Sequence, residues 1–161
     1  MTTTTASARG KANRRKGTDT EQRVARYLRA EGFPHARRAV HNGWRTAEHT
    51  APDPLDIAGI PGVVISVKND ASNQIGKWLD DAERIGNNHG AALSLLIVRQ
   101  RGKADVSRWW VWVSLSALAR VITGPDHSRH FGGHWCTELG EFVPMLHDAV
   151  NGNAARSAHE H

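Results

Sequence analysis

The sequence feature that most constrains the fold is a pair of apolar segments joined by a turn. Asp56 to Ile60 and Val63 to Asn69 are rich in apolar residues, and the turn dipeptide Pro61-Gly62 separates them. This arrangement predicts a hairpin of two strands. A second apolar run, Ala92 to Val98, predicts another buried strand, because a strand covered on both faces loses the alternation of polar and apolar residues.

Helical patterns alternate with these strands, which predicts a small α/β domain with a mixed sheet. The first helix is expected to run from Thr18 to Gly32, because Thr18 and Glu21 have the spacing of a capping box. The remaining periodicities predict helices at residues 74–86, 115–122 and 141–150, strands near 38–45 and at 109–114, and an irregular His/Gly loop at 123–135.

The net charge of +5 is concentrated at the amino terminus, since residues 1–16 hold five basic side chains and no acid. These residues are Arg9, Lys11, Arg14, Arg15 and Lys16. A basic segment rich in Thr, Ala and Gly is expected to be disordered when free and to bind phosphates, although it can equally be a passive solubilising tail. Residues 17–150 are then the single folded domain, and residues 151–161 a disordered tail.

Composition excludes several classes of protein. No run of eighteen apolar residues and no secretory signal pattern occur, so a soluble, cytoplasmic protein that does not enter a membrane is expected. The single cysteine, Cys136, cannot form an internal disulfide and argues against a zinc site built on thiolates. His127, His130 and His134 have a spacing that can bind zinc, but without a nearby acid or cysteine framework a solvated loop is expected.

A lysine at the end of the second hairpin strand is the most informative single residue. Side chains alternate along a strand, so Ser66 and Lys68 share the face opposite Ile65 and Val67. A buried amine is costly without an anionic partner, and Asp56, which opens the preceding strand, is the obvious candidate. The pair is either a structural ion pair or part of a hydrolytic metal site, in which a carboxylate holds Mg²⁺ and the lysine stabilises charge on phosphorus.

Asp56, nine further residues and Ser66-Val67-Lys68 together resemble the signature of PD-(D/E)XK nucleases. Upstream, Lys16-Gly-Thr-Asp-Thr-Glu21 opens a helix that ends at Glu31-Gly-Phe33, which is similar to the start of archaeal-type Holliday junction resolvases and their phage relatives. The likeness covers roughly residues 16 to 100, and the ordered set of features is more specific than the short signature alone.

This resemblance implies a restriction-endonuclease-like mixed β-sheet flanked by helices. It implies a homodimeric enzyme of DNA recombination that uses Mg²⁺ or Mn²⁺ to cut branched DNA in a bacterial or phage-infected cell. By the resemblance Asp56 is the principal metal ligand, Lys68 the catalytic lysine and Glu21 an accessory acid, although the predicted capping role alone would also explain Glu21.

Ser66 departs from the family pattern, which places Glu, Asp or Gln two residues before the lysine. A neutral hydroxyl is a poor ligand for a hard dication, so three alternatives remain open. The metal binds weakly through Asp56, Glu21 and backbone carbonyls, or the acid has migrated, or the protein binds DNA without cutting it. Some restriction endonucleases have serine here and supply glutamate from the next helix, which makes Glu83 the favoured migrant, followed by Asp81 and then Asp70.

Two further features have a structural and a functional interpretation. Trp109, Trp110 and Trp112 can stack on bases, but tryptophans in strands more often pack in a core or a dimer interface, which is what we expect here. The basic connection from Arg99 to Lys103 is either a phosphate contact or an ordinary solvated turn. The sequence therefore predicts a structure-selective DNA endonuclease, with a non-catalytic DNA-binding protein as the alternative.

Overall fold

The computed structural model of this protein describes residues 4–39, 55–124 and 131–157, without side-chain positions for residues 4–9, 11, 13–14 and 153–157. The described helices are α1 (Thr4–Ala30), α2 (Ile75–Asn88), α3 (Leu115–Thr123) and α4 (Leu139–Ser157). The strands are β1 (Arg37–Arg38), β2 (Ile57–Ala58), β3 (Val63–Lys68), β4 (Leu93–Val98), β5 (Trp110–Ser114) and β6 (His134–Glu138), and a 3₁₀ turn spans Val106–Arg108. None of the described helices is both long and apolar enough to cross a membrane.

The described strands form one mixed sheet in which the order across the sheet follows the order along the chain, from β1 to β6. β3 and β4 are parallel, and α2 makes the crossover that a parallel connection requires. The other neighbouring strands are antiparallel. The predicted small α/β domain with a mixed sheet is confirmed, as is the hairpin of β2 and β3.

β3 and β4 lie at the centre of the fold because helices cover both of their faces. Ile65 and Val67 belong to a large apolar cluster that includes residues of α1 and α4. On the opposite face, Leu96 and Val98 pack against Leu79 of α2. Every residue of β4 is buried, which explains its continuous apolar sequence.

Gly86 allows α2 to lie very close to the sheet. A Cβ atom at this position would lie 1.9 Å from Oγ of Ser94 and 3.2 Å from its Cβ, so a larger residue would require at least the Ser94 hydroxyl to rotate away. The contact fixes the second half of α2 over the amino-terminal half of β4. The position of the acidic residues on α2 follows from this packing.

The two ends of the chain are more helical than predicted. α1 begins at Thr4, so Thr18 is inside the helix and the predicted capping box is wrong. Residues 4–16 belong to this helix in the structure, and Ala, Arg and Lys, which are strong helix formers, make up eight of these thirteen residues. At the other end, α4 extends through residues that were expected to be a disordered tail.

The loop predicted at residues 123–135 extends too far, because His134 and Trp135 belong to β6. β6 pairs along its whole length with β5. Of the expected strand near 38–45, only Arg38 belongs to β1, and residues 40–45 lie outside the described residues. His127 and His130 also lie outside them. Trp109 is fully buried, which confirms core packing for this residue, and the dimer interface remains a prediction.

Candidate functional site

Lys68 is the last residue of β3, at the carboxyl end of the parallel pair β3 and β4. It lies in register with Val98, and the backbone N–H of Arg99 donates a hydrogen bond to the Lys68 carbonyl at 2.9 Å. The side chain of Lys68 is half-buried. Open α/β sheets commonly bind ligands at the carboxyl ends of their parallel strands, so Lys68 lies at an end of the sheet where a binding site is expected.

Asp56 lies beside this edge because the antiparallel pairing of Ile57 with Ile65 aligns β2 with β3. Its Oδ2 accepts a hydrogen bond from the backbone N–H of Val67 at 2.7 Å. β2 is only two residues long, and Asp56 immediately precedes it. The Val67 N–H therefore donates to the Asp56 side chain rather than to a backbone carbonyl of β2. The structure thus brings a carboxylate to the peptide between Ser66 and Val67, one residue before Lys68.

The ion pair that the sequence suggested between Asp56 and Lys68 is not formed. Within residues 55–124, the two side chains are not joined by a contact of 4.0 Å or less between amine and carboxylate. The carboxylate is instead held by the backbone of β3. Sequence reasoning missed this bond, since no pattern in the chain signals which donor a carboxylate will meet.

Glu21 is brought near this edge by the packing of α1 on the end of β3. The side-chain amide of Asn69 donates to Oγ1 of the buried Thr20 at 3.1 Å, which fixes α1 one residue before Glu21. Oε2 of Glu21 forms an ion pair with Nε of Arg38 at 2.5 Å, and these side chains are 17% and 28% exposed, respectively. Arg38 was not predicted as a site residue. It pairs with Ile57 in the sheet, so it lies at the same end of the sheet as Asp56.

Ser66 is buried on the face of β3 that α2 covers. It is 5% exposed and in register with Leu96, a member of the apolar cluster under α2. A hydroxyl can occupy such a position at little cost, whereas a carboxylate would need compensating charge. The local environment therefore suits the serine that the chain has.

Within the described residues, Glu83 and Lys68 do not form an ion pair of 4.0 Å or less. Glu83 lines a groove of about 500 Å³ between α2 and α3, together with Ser94, Ser114 and Arg120. Ser94 lies in the amino-terminal half of β4, four residues before the Val98 that pairs with Lys68. At roughly 3.3 Å per residue, Ser94 and Val98 are about 13 Å apart along the strand, and Glu83, which precedes Gly86 by about one helical turn, lies between these two levels.

The other candidate acids have local partners. Asp81 forms an ion pair with Arg84 at 3.7 Å on the exposed side of α2. Oδ1 of Asp70 accepts from the backbone N–H of Ser72 at 2.9 Å, which closes a turn after β3. Neither acid forms an ion pair with Lys68 among the described residues, and the migrated acid stays a prediction.

The donor set at this edge fits only a metal ion that the substrate helps to bind. In the part of the chain with described side chains, no group of three His, Cys, Asp or Glu residues is placed to hold a metal ion. Mg²⁺ often takes one or two carboxylates and completes its shell with waters and phosphate oxygens. Asp56, whose Oδ2 already accepts from the Val67 N–H, would be one such carboxylate.

The basic amino-terminal segment extends beyond the sheet on the side of Lys68. Thr20 already lies at the end of β3, so the continuous helix from Thr4 reaches roughly 24 Å further at 1.5 Å per residue. Arg15 and Lys16 are exposed, and side-chain positions of Arg9, Lys11 and Arg14 lie outside the described set. Among the described side chains of this segment, Arg15 and Lys16 therefore provide positive charge at this end of the sheet.

Two titratable groups on this side of the molecule have shifted pKa values. Burial, with the negative charges of Glu31 and Asp105, raises the pKa of Tyr27 to about 12, so its phenol stays protonated near neutrality. Hydrogen bonds from Ser107 lower the pKa of Asp105, which keeps this carboxyl ionised. Neither group is therefore suited to exchange protons with a substrate at neutral pH.

Comparison of the chain with protein-family models, with curated proteins and with solved structures finds no match. The resemblance to PD-(D/E)XK nucleases therefore rests on the residues described above.

Proposed function

We propose that this protein is a metal-dependent, structure-selective DNA endonuclease, most closely comparable to a Holliday junction resolvase. The observation that carries the proposal is the Asp56 carboxylate, hydrogen-bonded to the backbone of β3 at Val67, one residue from Lys68. A carboxylate and a lysine at the carboxyl end of a buried strand, beside a basic helix, suit hydrolysis of a phosphodiester. The proposed setting is DNA recombination in the cytoplasm of a bacterial or phage-infected cell.

In the proposed mechanism Asp56 would hold Mg²⁺ or Mn²⁺, which when bound would supply Lewis acidity and activate water as the nucleophile. The Lys68 ammonium group stabilises the negative charge that develops on the phosphate oxygens, and water is the nucleophile. Two copies of the chain in a homodimer would cut the two symmetric strands of a junction.

Glu21 can act as an accessory acid only when its ion pair with Arg38 is broken. A guanidinium group binds phosphate and carboxylate in the same bidentate manner, so a DNA phosphate competes with Glu21 for Arg38. Binding of a DNA phosphate to Arg38 would then weaken the pairing of Arg38 with Glu21. Arg38→Gln should therefore weaken DNA binding.

The second candidate function is DNA binding without cleavage. It is favoured by the buried, neutral Ser66, which stands where the resemblance expects an acid. The basic helix serves this function equally well, because binding to phosphates needs no catalytic group.

Cleavage of four-way, flapped and linear DNA with Mg²⁺ or Mn²⁺ separates the two functions. The variant is Lys68→Ala, and Lys77→Ala on the exposed side of α2 is a matched control that removes the same charge. Metal-dependent cutting that is lost only in Lys68→Ala supports the enzyme. Tight binding of the four-way junction with no cutting at any metal concentration would establish the second function instead.

A further inference from the structure

The connection between β4 and the 3₁₀ turn carries Arg99, Arg101 and Lys103, and we name residues 99–105 the basic turn. It begins at the candidate site, because the hydrogen bond from Arg99 to the Lys68 carbonyl joins the first residue of the basic turn to the end of β3. Any strand of DNA whose phosphate reaches Lys68 must therefore pass close to this turn.

The basic turn is held in one conformation by the buried Trp109. The guanidinium groups of Arg23 and Arg99 lie 5.2 Å and 5.6 Å from the centre of its indole ring. The indole N–H donates to the Lys103 carbonyl at 3.1 Å, and Arg23 donates to the Ala104 carbonyl. These contacts tie the backbone of the basic turn to α1, so the positions from which Arg101 and Lys103 extend are fixed before any ligand binds, which lowers the entropy cost of binding.

The charges at the tip of the basic turn are not neutralised within the described part of the chain. Neither Arg101 nor Lys103 forms an ion pair there, and Arg101 is exposed. The nearest acid in sequence, Asp105, is directed at the 3₁₀ turn, where its carboxylate accepts from the Ser107 N–H at 3.0 Å. Two positive side chains on an ordered support, next to a lysine and a basic helix, form a surface complementary to a polyanion.

We infer that the basic turn binds the sugar-phosphate backbone of a DNA duplex arm next to the candidate site. Arg101 and Lys103 contact phosphates, while Arg99 and Arg23 position the turn through Trp109. The inference rests on the proposed function, because it takes DNA as the ligand. It assigns to the basic turn a contribution to DNA affinity that is separate from the contribution of α1. Contacts of this kind place the duplex without reading its sequence.

The test is the salt dependence of DNA binding by Arg101→Ala/Lys103→Ala, measured as fluorescence anisotropy of a labelled duplex and a labelled four-way junction. Removal of two phosphate-binding side chains should reduce the slope of log K against log salt by about 1.8, at about 0.9 per neutralised phosphate. Between 50 and 200 mM salt, the wild type should then lose about tenfold more affinity than the variant.

The matched control is Arg84→Ala/Arg120→Ala, which removes the same charge from exposed positions on α2 and α3. Its slope should remain close to that of the wild type. Equal slopes for the two double variants would overturn the inference, and thermal unfolding of both variants would show that the fold is intact. If the wild type binds neither DNA, the proposed function itself fails, so the two failures are distinguishable.

Discussion

Replacing Asp56 tests whether its carboxylate serves as a metal ligand or only as a hydrogen-bond acceptor. The contact from the Val67 N–H to Oδ2 is 2.7 Å long, and Val67 is 7% exposed. Asp56→Asn keeps an oxygen that can accept the same bond but removes the charge. Asp56→Ala removes both, so the pair of variants separates the two roles.

The expected change in the free energy of unfolding follows from this one bond. A hydrogen bond to a charged group contributes about 1.5–3 kcal/mol and a neutral one about 0.5–1.5 kcal/mol, so Asp56→Asn should lose about 1 kcal/mol. Asp56→Ala leaves the buried Val67 N–H without a partner, which should cost about 1–3 kcal/mol. Both variants should cut DNA roughly a hundredfold more slowly, the size of effect that follows removal of one electrostatic interaction with the transition state.

Urea unfolding measures the first effect, and single-turnover cleavage of a four-way junction over a series of Mg²⁺ concentrations measures the second. Cleavage at the wild-type rate by Asp56→Asn throughout the series would refute the assignment of Asp56 as a metal ligand. A free energy of unfolding equal to that of the wild type in Asp56→Ala would show that the bond to Val67 does not stabilise the hairpin.

Three other changes test separate parts of the structure. Glu83→Gln should leave metal-dependent cleavage unchanged, because Glu83 lines the groove between α2 and α3; loss of cutting in the junction assay would instead place this acid in the mechanism. Deleting residues 1–16 should lower DNA affinity and reduce the salt slope by about 0.9 for each phosphate that this segment neutralises, whereas an unchanged slope would show a passive segment. Trp109→Ala should destabilise the protein by about 3–5 kcal/mol in urea unfolding, since the side chain is fully buried; a loss below about 1 kcal/mol would contradict its anchoring role.

The central elements could be predicted from the sequence because their signals are local. β3, β4 and α2 lie within two residues of their predicted bounds, since a continuous apolar run and a helical periodicity each depend only on neighbouring residues. The same local reasoning placed Ser66 and Lys68 on one face of β3. It failed for β6, whose residues acquire strand geometry through pairing with β5.

The candidate site was only partly predictable, because the partner of each side chain depends on distant parts of the chain. Asp56 was correctly expected beside β3, but its bond to the Val67 N–H results from β2 ending after two residues. Arg38 as the partner of Glu21, and the groove that contains Glu83, follow from how α1 and α2 lie on the sheet.

The sequence by itself determined the mixed α/β character, the hairpin and the strand that ends in Lys68, through periodicities that act over a few residues. Only the tertiary structure decided which partners Asp56, Glu21 and Glu83 meet, because the register of the strands and the close packing of α2 at Gly86 set distances between residues far apart in the chain. Alternation fixes the face on which a side chain lies, whereas its neighbours depend on long-range packing.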